Sequence, residues 1–158
     1  MRIAGIIKNS VVNGIGIRDV LFLQGCEHHC KGCHNPETWN KVGGKEVCIR
    51  ELMDKFKGSQ NMTISGGEPL LQYNRLLNFM WGMNDLYNTR FWLYTGYTIE
   101  EIPYHRLRQL SRYVDVIVDG RFEEDKKDLT LRFRGSSNQR IIDLQKTLEQ
   151  DKIVLWEE

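Results

Sequence analysis

The chain has 158 residues, of which 41% are hydrophobic and 27% are charged. This length suits one domain, and the composition is typical of a globular protein rather than a disordered or fibrous one. The 22 Lys and Arg residues nearly balance the 21 Asp and Glu residues, which leaves a formal net charge of +1. Because no large positive excess is available to bind phosphates or anionic lipids, we expect neither nucleic acid nor a membrane as a partner.

The cysteines are informative because of where the protein is expected to reside. No apolar run approaches the ~20 residues of a membrane-spanning helix, and the N-terminal run is too short for a signal peptide. We therefore expect a cytoplasmic protein, in which thiols stay reduced and clustered cysteines favour metal binding or catalysis over disulfides. Cys26, Cys30 and Cys33 lie within eight residues, whereas Cys48 stands apart.

Short apolar runs that suit buried strands recur along the chain. They cover residues 19–23, 61–65, 90–94 and 114–118. Apolar residues at three- and four-residue steps predict intervening helices near 48–56 and 70–81, and a third helix is expected at about 103–112. Thr98 and Glu101 form a candidate capping box just before that third helix.

Strands that alternate with helices predict βαβ units and a mainly parallel sheet. The chain is too short for the eight units of a closed barrel, which leaves an open α/β sheet or an incomplete barrel. The fold that we expect is α/β, an incomplete (partial) TIM-type βα barrel. Beyond Asp119 the pattern weakens, and residues 141–156 suit a helix, strands or both. We therefore expect an irregular C-terminal segment.

The clustered cysteines follow directly after the first of these strands. In parallel α/β proteins the carboxyl ends of the strands carry the ligand-binding loops. Three thiolates on one short loop can each bind one iron of a four-iron cube, which leaves the fourth iron open to a substrate. Cys26, Cys30 and Cys33 are therefore candidate ligands of a 4Fe-4S cluster.

A zinc site is the alternative, with a histidine or Cys48 as the fourth ligand. Common zinc motifs use paired two-residue gaps, whereas these cysteines have a gap of three residues followed by a gap of two, which favours the cluster. Cys48 lies on the apolar face of its predicted helix, and we expect it to be buried there. We expect His28, His29 and His105 to be exposed.

The second predicted strand ends in a glycine-rich turn, SGGEPL, at residues 65–70. Paired glycines let a ligand approach the backbone, whose free N–H and C=O groups can bind the charged ends of an amino acid. An ordinary strand-to-helix turn explains the same residues. The third and fourth strands also end in glycine-containing segments, at 95–97 and 119–121, so four such segments are expected along one edge of the sheet. This convergence favours a ligand site.

The cysteine spacing followed by GGEP resembles the radical S-adenosylmethionine (SAM) superfamily. Several further segments resemble, within it, the family of activases of anaerobic ribonucleoside-triphosphate reductase. These segments are NGIGIR (13–18), LFLQGC (21–26), CHNPETW (33–39), YTGY (94–97), VDGRF (118–122) and RGSSNQR (134–140). The cysteine motif specifies only the superfamily, whereas DGRF and GSSNQR carry the narrower assignment. The resemblance implies a single radical SAM domain over residues 1–158.

The resemblance also implies the cofactors and the reaction. The three clustered cysteines would hold a 4Fe-4S cluster, whose open iron binds the amino and carboxylate groups of SAM. Gly66 and Gly67 would bracket the methionine end, and Glu68 would orient its ammonium group. Reduction by an external donor, for which the family suggests reduced flavodoxin, would cleave SAM to methionine and a 5'-deoxyadenosyl radical. That radical would take hydrogen from a glycine Cα of the reductase and leave a glycyl radical.

By the same resemblance, Gly32, Cys33 and His34 would lie against the adenosyl part of SAM. Many superfamily members have an aromatic residue where this chain has Gly32, so His34 or backbone groups would have to contact adenine. Because the cofactors carry the chemistry, we expect no catalytic acid, base or nucleophile. Residues 132–134 and Arg140 are candidates for the docking surface of the reductase, or else belong to a solvated segment.

Two other functions stay open at this point. One is activation of another glycyl-radical enzyme, such as pyruvate formate-lyase, against which the GSSNQR segment argues by resemblance. The other is a non-catalytic zinc or iron-sulfur module, which would leave SAM intact under reducing conditions.

Overall fold

The computed structural model describes residues 1–157, and these form a seven-stranded sheet with four α-helices. The strands are β1 (Arg2–Ser10), β2 (Arg18–Leu23), β3 (Lys45–Glu46), β4 (Asn61–Gly66), β5 (Arg90–Tyr94), β6 (Val114–Asp119) and β7 (Arg140–Asp143). The helices are α1 (Ile49–Lys55), α2 (Tyr73–Tyr87), α3 (Tyr104–Leu110) and α4 (Leu144–Gln150). Within the described residues, no helix is both long enough and apolar enough to cross a bilayer.

The sheet is mixed, with a parallel centre. Its strand order is β3-β1-β2-β4-β5-β6-β7. The four central strands β2, β4, β5 and β6 are parallel and follow chain order, whereas β1, β3 and β7 pair in antiparallel fashion at the two sides. The predicted α/β class is therefore confirmed, and the carboxyl ends of four consecutive parallel strands lie along one edge.

The central strands are apolar on both faces, which explains their continuous hydrophobic runs. On one face, Leu21, Ile64 and Leu93 are fully buried and belong to a core cluster with Leu52 of α1 and Phe79 of α2. Side chains alternate along a strand, so the intervening residues point to the other face. That face carries a second, smaller cluster, made of Trp92, Val116 and Val118 packed against Phe133 and Trp156.

The predicted helices are present with shifted ends. Residues Pro69–Gln72 form a short 3-10 helix, and α2 then runs from Tyr73 to Tyr87. The capping box of Thr98 and Glu101 is confirmed, and it caps the N-terminus of the short 3-10 helix Ile99–Glu101. α3 starts directly after Pro103, at Tyr104.

The expectation that Cys48 is a buried helix residue is wrong. Cys48 has an extended backbone and is the exposed N-cap of α1, where its sulfur accepts a hydrogen bond from the Glu51 backbone N–H. The helix begins one residue later than the apolar periodicity suggests, and this shift turns the thiol away from the core.

The C-terminal part is more regular than expected. Residues 120–139 contain the short 3-10 helix Glu124–Lys126 and an isolated bridge between Lys127 and Ser136, and β7 and α4 then follow without a gap. Asp143 caps α4 by accepting a hydrogen bond from the Lys146 backbone N–H. Leu155 returns to form an isolated bridge with Ile142 of β7. The segment 141–156 is thus both strand and helix.

Candidate functional site

A cleft of about 360 Å³ opens at the carboxyl ends of β2, β4, β5 and β6. Phe22, Tyr94 and Val118 line it from the strands. Of the residues predicted from the sequence, Cys26, Cys30, Cys33, His34, Gly66 and Gly67 line the cleft. The structure therefore brings the cysteine motif and the double glycine together, as the topology of a parallel sheet predicts.

The loop that carries the cysteines is closed by its own backbone. The N–H of Gly25 donates to the carbonyl of Thr38 at 2.7 Å, and that of Cys26 donates to the carbonyl of Trp39 at 3.2 Å. Gly25 permits the turn out of β2, since its φ is +100°. Both ends of the loop 25–39 are thus fixed beside β2. The loop carries the three cysteines and forms one wall of the cleft, the cysteine wall.

The three thiols are free and differ in burial. Cys26 is buried, whereas Cys30 and Cys33 are half-buried. Burial raises the pKa of the Cys26 and Cys30 thiols above the usual value, although backbone N–H groups oppose this shift. The backbone N–H of Asn35 donates to the sulfur of Cys33 at 3.4 Å. Hydrogen bonds to cysteine sulfur are one of the means by which a protein tunes an iron-sulfur cluster.

The double glycine is required by packing between backbones. A Cβ on Gly67 would lie 2.2 Å from the carbonyl oxygen of Gly25, and one on Gly66 would lie 2.4 Å from the backbone of Leu23. Gly66 also has a φ of +113°, which L side chains rarely adopt. The turn after β4 is therefore pressed against the start of the cysteine loop.

Glu68 does not line the cleft. Its carboxylate is fully buried and accepts hydrogen bonds from the backbone N–H of Leu70, the hydroxyl of Thr95 and the backbone N–H of Gly96, at 2.8–3.0 Å. Its Oε2 atom also lies 2.8 Å from Nε2 of His28. These groups come from the ends of β4 and β5 and from the cysteine loop, so the carboxylate joins the three segments.

The expectation that His28 is exposed is wrong. Its side chain is 6% exposed and packs edge-on to Tyr97, with ring centroids 4.5 Å apart. The ring fits there because Gly96 has no side chain, as a Cβ at Gly96 would lie 2.3 Å from it. His29 and His105 are exposed, as expected.

The opposite wall of the cleft is built from the DGRF and GSSNQR segments. The side-chain oxygen of Gln139 accepts hydrogen bonds from the backbone N–H groups of Gly135 and Ser136, and its amide nitrogen donates to the carbonyl of Gly120. The side chain of Asn138 donates to the carbonyl of Arg121. These bonds hold the two segments together as one wall.

His34 lies where the two walls meet. Its ring contacts that of Phe122, with centroids 4.9 Å apart, and Gly135 lies next to both rings. Gly32 is exposed, has a φ of +71° and lies beside Glu124 rather than on the cleft.

Arg140 takes part in an internal ion-pair network. It pairs with the carboxylate of Asp119, which is 1% exposed, and forms two hydrogen bonds with Glu100 at 2.9 and 2.7 Å. The hydrogen bond from Arg140 is the main cause that lowers the pKa of Glu100 to about 2. Asp119 also accepts a hydrogen bond from the backbone N–H of Ile99. The network therefore ties β6, β7 and the 3-10 helix Ile99–Glu101 together.

The sequence of residues 12–142 matches a protein-family model that is described as a 4Fe-4S single cluster domain. Three of the similar proteins are named anaerobic ribonucleoside-triphosphate reductase-activating protein. That of Pasteurella multocida is 38% identical over 140 residues, and that of phage T4 is 39% identical over 138. The one from Escherichia coli K12 is 35% identical over 139 residues. The alignments cover 82% of this chain and 89%, 86% and 90% of the respective relatives.

The chain belongs to the family of anaerobic ribonucleoside-triphosphate reductase-activating proteins. The family that the sequence motifs predicted is thereby confirmed, and the family model supports the predicted 4Fe-4S binding. The matched range of the model, 12–142, contains both walls of the cleft.

The residues of the cysteine wall fit a 4Fe-4S cluster. Three free thiols line one cleft, and the indole Nε1 of Trp39, which also lines it, is buried without a hydrogen-bond partner. A buried polar group without a partner is rare in native proteins. Among residues 1–157, no three Cys, His, Asp or Glu side chains converge as a single metal ion would require.

Sequence reasoning missed several neighbours of the cleft. Trp39 and Phe122 both occur in the matched segments, yet nothing in their spacing shows that they border the same space. Val12 and Asn13 line the cleft from the loop between β1 and β2. The hydroxyl of Thr63 donates to the carbonyl of Asn13 at 2.6 Å, a contact between residues 50 positions apart.

Proposed function

We propose that this chain uses a 4Fe-4S cluster and SAM to install a glycyl radical on anaerobic ribonucleoside-triphosphate reductase. The observation that carries the proposal is that Cys26, Cys30 and Cys33 line the same cleft as the Gly66-Gly67 strand end. The family model supports the cluster, and the printed names of the relatives support the reductase as the protein substrate.

In this proposal the cysteine wall holds the cluster, and the strand ends hold SAM. When bound, the two cofactors supply reductive cleavage of SAM to methionine and a 5'-deoxyadenosyl radical, which takes hydrogen from a glycine Cα of the reductase. The thiolates of Cys26, Cys30 and Cys33 bind iron, and the backbone N–H of Asn35 stabilises the thiolate of Cys33. The backbone of Gly66 and Gly67 faces the methionine end of SAM.

His34 is proposed to contact the adenosyl part of SAM, with Cys33 beside it; Gly32 lies off the cleft, beside Glu124, and is not proposed to contact SAM. Its ring is already held against Phe122 at the meeting of the two walls, so its orientation is fixed before a ligand binds. Glu68 is proposed to act near the ammonium group through the turn that it anchors, since its own carboxylate is enclosed by internal donors.

The proposal extends to the shape of the sheet, the electron donor and the compartment. We propose that the central strands curve into an incomplete TIM-type βα barrel, with the cleft on its concave face. Reduced flavodoxin is the proposed external electron donor. A cytoplasmic location is proposed because the cluster requires reduced thiols.

The test is a complete reaction under anaerobic conditions. The reconstituted chain is incubated with SAM, a strong reductant and the reductase of the same organism, and both 5'-deoxyadenosine and the glycyl radical are measured. We expect both products with the reductase, and no radical on pyruvate formate-lyase offered as the control substrate. Intact SAM in the presence of an assembled, reduced cluster would contradict the proposal.

A further inference from the structure

The carboxylate of Glu68 is fixed from the strand ends. It is 0% exposed and receives hydrogen bonds from the backbone N–H of Leu70 at 2.9 Å, from the hydroxyl of Thr95 at 2.9 and 3.0 Å, and from the backbone N–H of Gly96 at 2.8 Å. Leu70 follows β4, and Thr95 and Gly96 follow β5. Both strand ends therefore supply hydrogen-bond donors to this carboxylate.

The cysteine loop reaches this carboxylate through His28. The ring nitrogen Nε2 lies 2.8 Å from Glu68 Oε2, and both side chains are buried, at 6% and 0% exposure. The ring occupies a slot between Gly96 and Tyr97, and that slot exists because residue 96 is glycine. A ring held by a hydrogen bond and by packing on two sides has little freedom to move.

The same residue also borders the proposed iron ligands. His28 stands between Cys26 and Cys30 in the sequence, two residues from each. The side chain of His28 thus contacts the strand ends while its backbone belongs to the segment between two proposed iron ligands. Movement of the ring would be transmitted to either cysteine through two residues of backbone.

We propose that His28 is a positioning residue that fastens the cysteine loop to the strand ends through Glu68. The inference rests on the proposed function, because it concerns the cluster and SAM of that function. It makes the lifetime of the cluster and its response to SAM depend on the His28–Glu68 contact. It also gives Glu68 a role inside the protein, in contrast to the direct contact with SAM that the family resemblance implies.

The test compares variants of the full chain after anaerobic reconstitution. His28→Leu removes the hydrogen bond at similar volume, whereas His28→Gln keeps a side-chain N–H that can reach Glu68. His105→Asn is the control, because His105 is an exposed histidine on α3, outside the loop and the cleft. Cluster lifetime is followed by visible absorbance in the presence of an iron chelator, and low-temperature EPR is recorded at increasing SAM concentration.

We expect His28→Leu to shorten the cluster half-life by at least about tenfold, the lower end of the effect of losing a hydrogen bond to a charged group. The EPR change caused by SAM should also require a higher SAM concentration. His28→Gln should restore both properties to within about twofold, and His105→Asn should match the wild type. Rescue by Gln separates a positioning hydrogen bond from simple packing of the ring.

A folded His28→Leu protein with the wild-type half-life and the wild-type SAM response would overturn the inference. Should that variant not fold, as judged by circular dichroism of the cluster-free protein, His28→Asn takes its place. Its amide is too short to reach Glu68, so the same losses are expected, and wild-type behaviour overturns the inference. A wild-type chain that takes up no 4Fe-4S cluster overturns both this inference and the proposed function. An unchanged His28 variant beside a SAM-responsive wild type overturns the inference alone.

Discussion

The backbone N–H of Cys26 donates to the carbonyl oxygen of Trp39 at 3.2 Å. This hydrogen bond brings the two ends of the cysteine loop together, and Trp39 lines the cleft with the thiols. A closed loop holds its cysteines near one another before iron arrives, which lowers the entropic cost of assembling a cluster.

Replacing any one of Cys26, Cys30 or Cys33 by Ala is expected to abolish the 4Fe-4S cluster, because three thiolates must bind three irons. Cys48→Ala is the matched control, since that thiol is exposed and only caps α1. Iron and sulfide are measured per chain after anaerobic reconstitution. A full cluster in Cys30→Ala would contradict the ligand assignment.

Gly67→Ala is expected to destabilise the cluster-free protein by about 1–3 kcal/mol, the usual range for overpacking. The added methyl group would lie 2.2 Å from the carbonyl oxygen of Gly25, so the turn and the cysteine loop must separate. Gly5→Ala in β1 is the control, because a Cβ there meets nothing within 4 Å. The free energy of unfolding in urea measures both. Equal stability of the two variants would show that the close backbone packing is not required.

His34→Ala is expected to weaken SAM binding by about two- to tenfold while iron content stays unchanged, because an aromatic contact contributes roughly 0.5–1.5 kcal/mol. The ring lies at the meeting of the two cleft walls, against Phe122. His105→Ala, on the exposed surface of α3, is the control. The SAM concentration that produces half of the EPR change gives the affinity. Unchanged affinity in His34→Ala would remove His34 from the adenosyl site.

The ion pair of Glu100 with Arg140 is expected to make stability depend on pH. Arg140 lowers the folded-state pKa of Glu100 from 4.5 to about 2, so its contribution is complete above pH 4.5 and disappears as the pH falls toward 2. The side chain of Glu100 is 57% exposed, and solvent screening therefore limits the contribution to below about 1 kcal/mol.

The variant Glu100→Gln tests this pH dependence. Its stability deficit, measured by urea unfolding of the cluster-free protein, should be largest near neutral pH and should shrink between pH 4.5 and 2. Glu149→Gln on α4 removes the same charge outside this network and serves as the control. A deficit that does not change with pH would show that the ion pair is not its cause.

The parallel centre of the fold could be predicted because its strands are buried on both faces and therefore have continuous apolar sequences. β1 was not predicted, because several of its residues are exposed and its sequence lacks such a run. β3 has two residues and forms only by pairing with β1, which its sequence does not specify. Both strands depend on partners rather than on local pattern.

The difference between local pattern and distant partners also explains which residues of the candidate functional site could be predicted. The cysteines and the double glycine were recognisable because their spacing follows the strand ends. The burial of His28 could not be predicted from the sequence. The residues that surround its ring, Glu68, Gly96 and Tyr97, are 40 or more positions away. The error at Cys48 arose from a one-residue difference in where α1 begins.

Low-temperature EPR of the anaerobically reconstituted and reduced protein, recorded with and without SAM, tests the central claim most directly. It detects the cluster and the open iron in one pair of samples. The account predicts a 4Fe-4S signal that changes when SAM is added. A protein that retains zinc and takes up no iron, or a 4Fe-4S signal that SAM leaves unchanged, would contradict it.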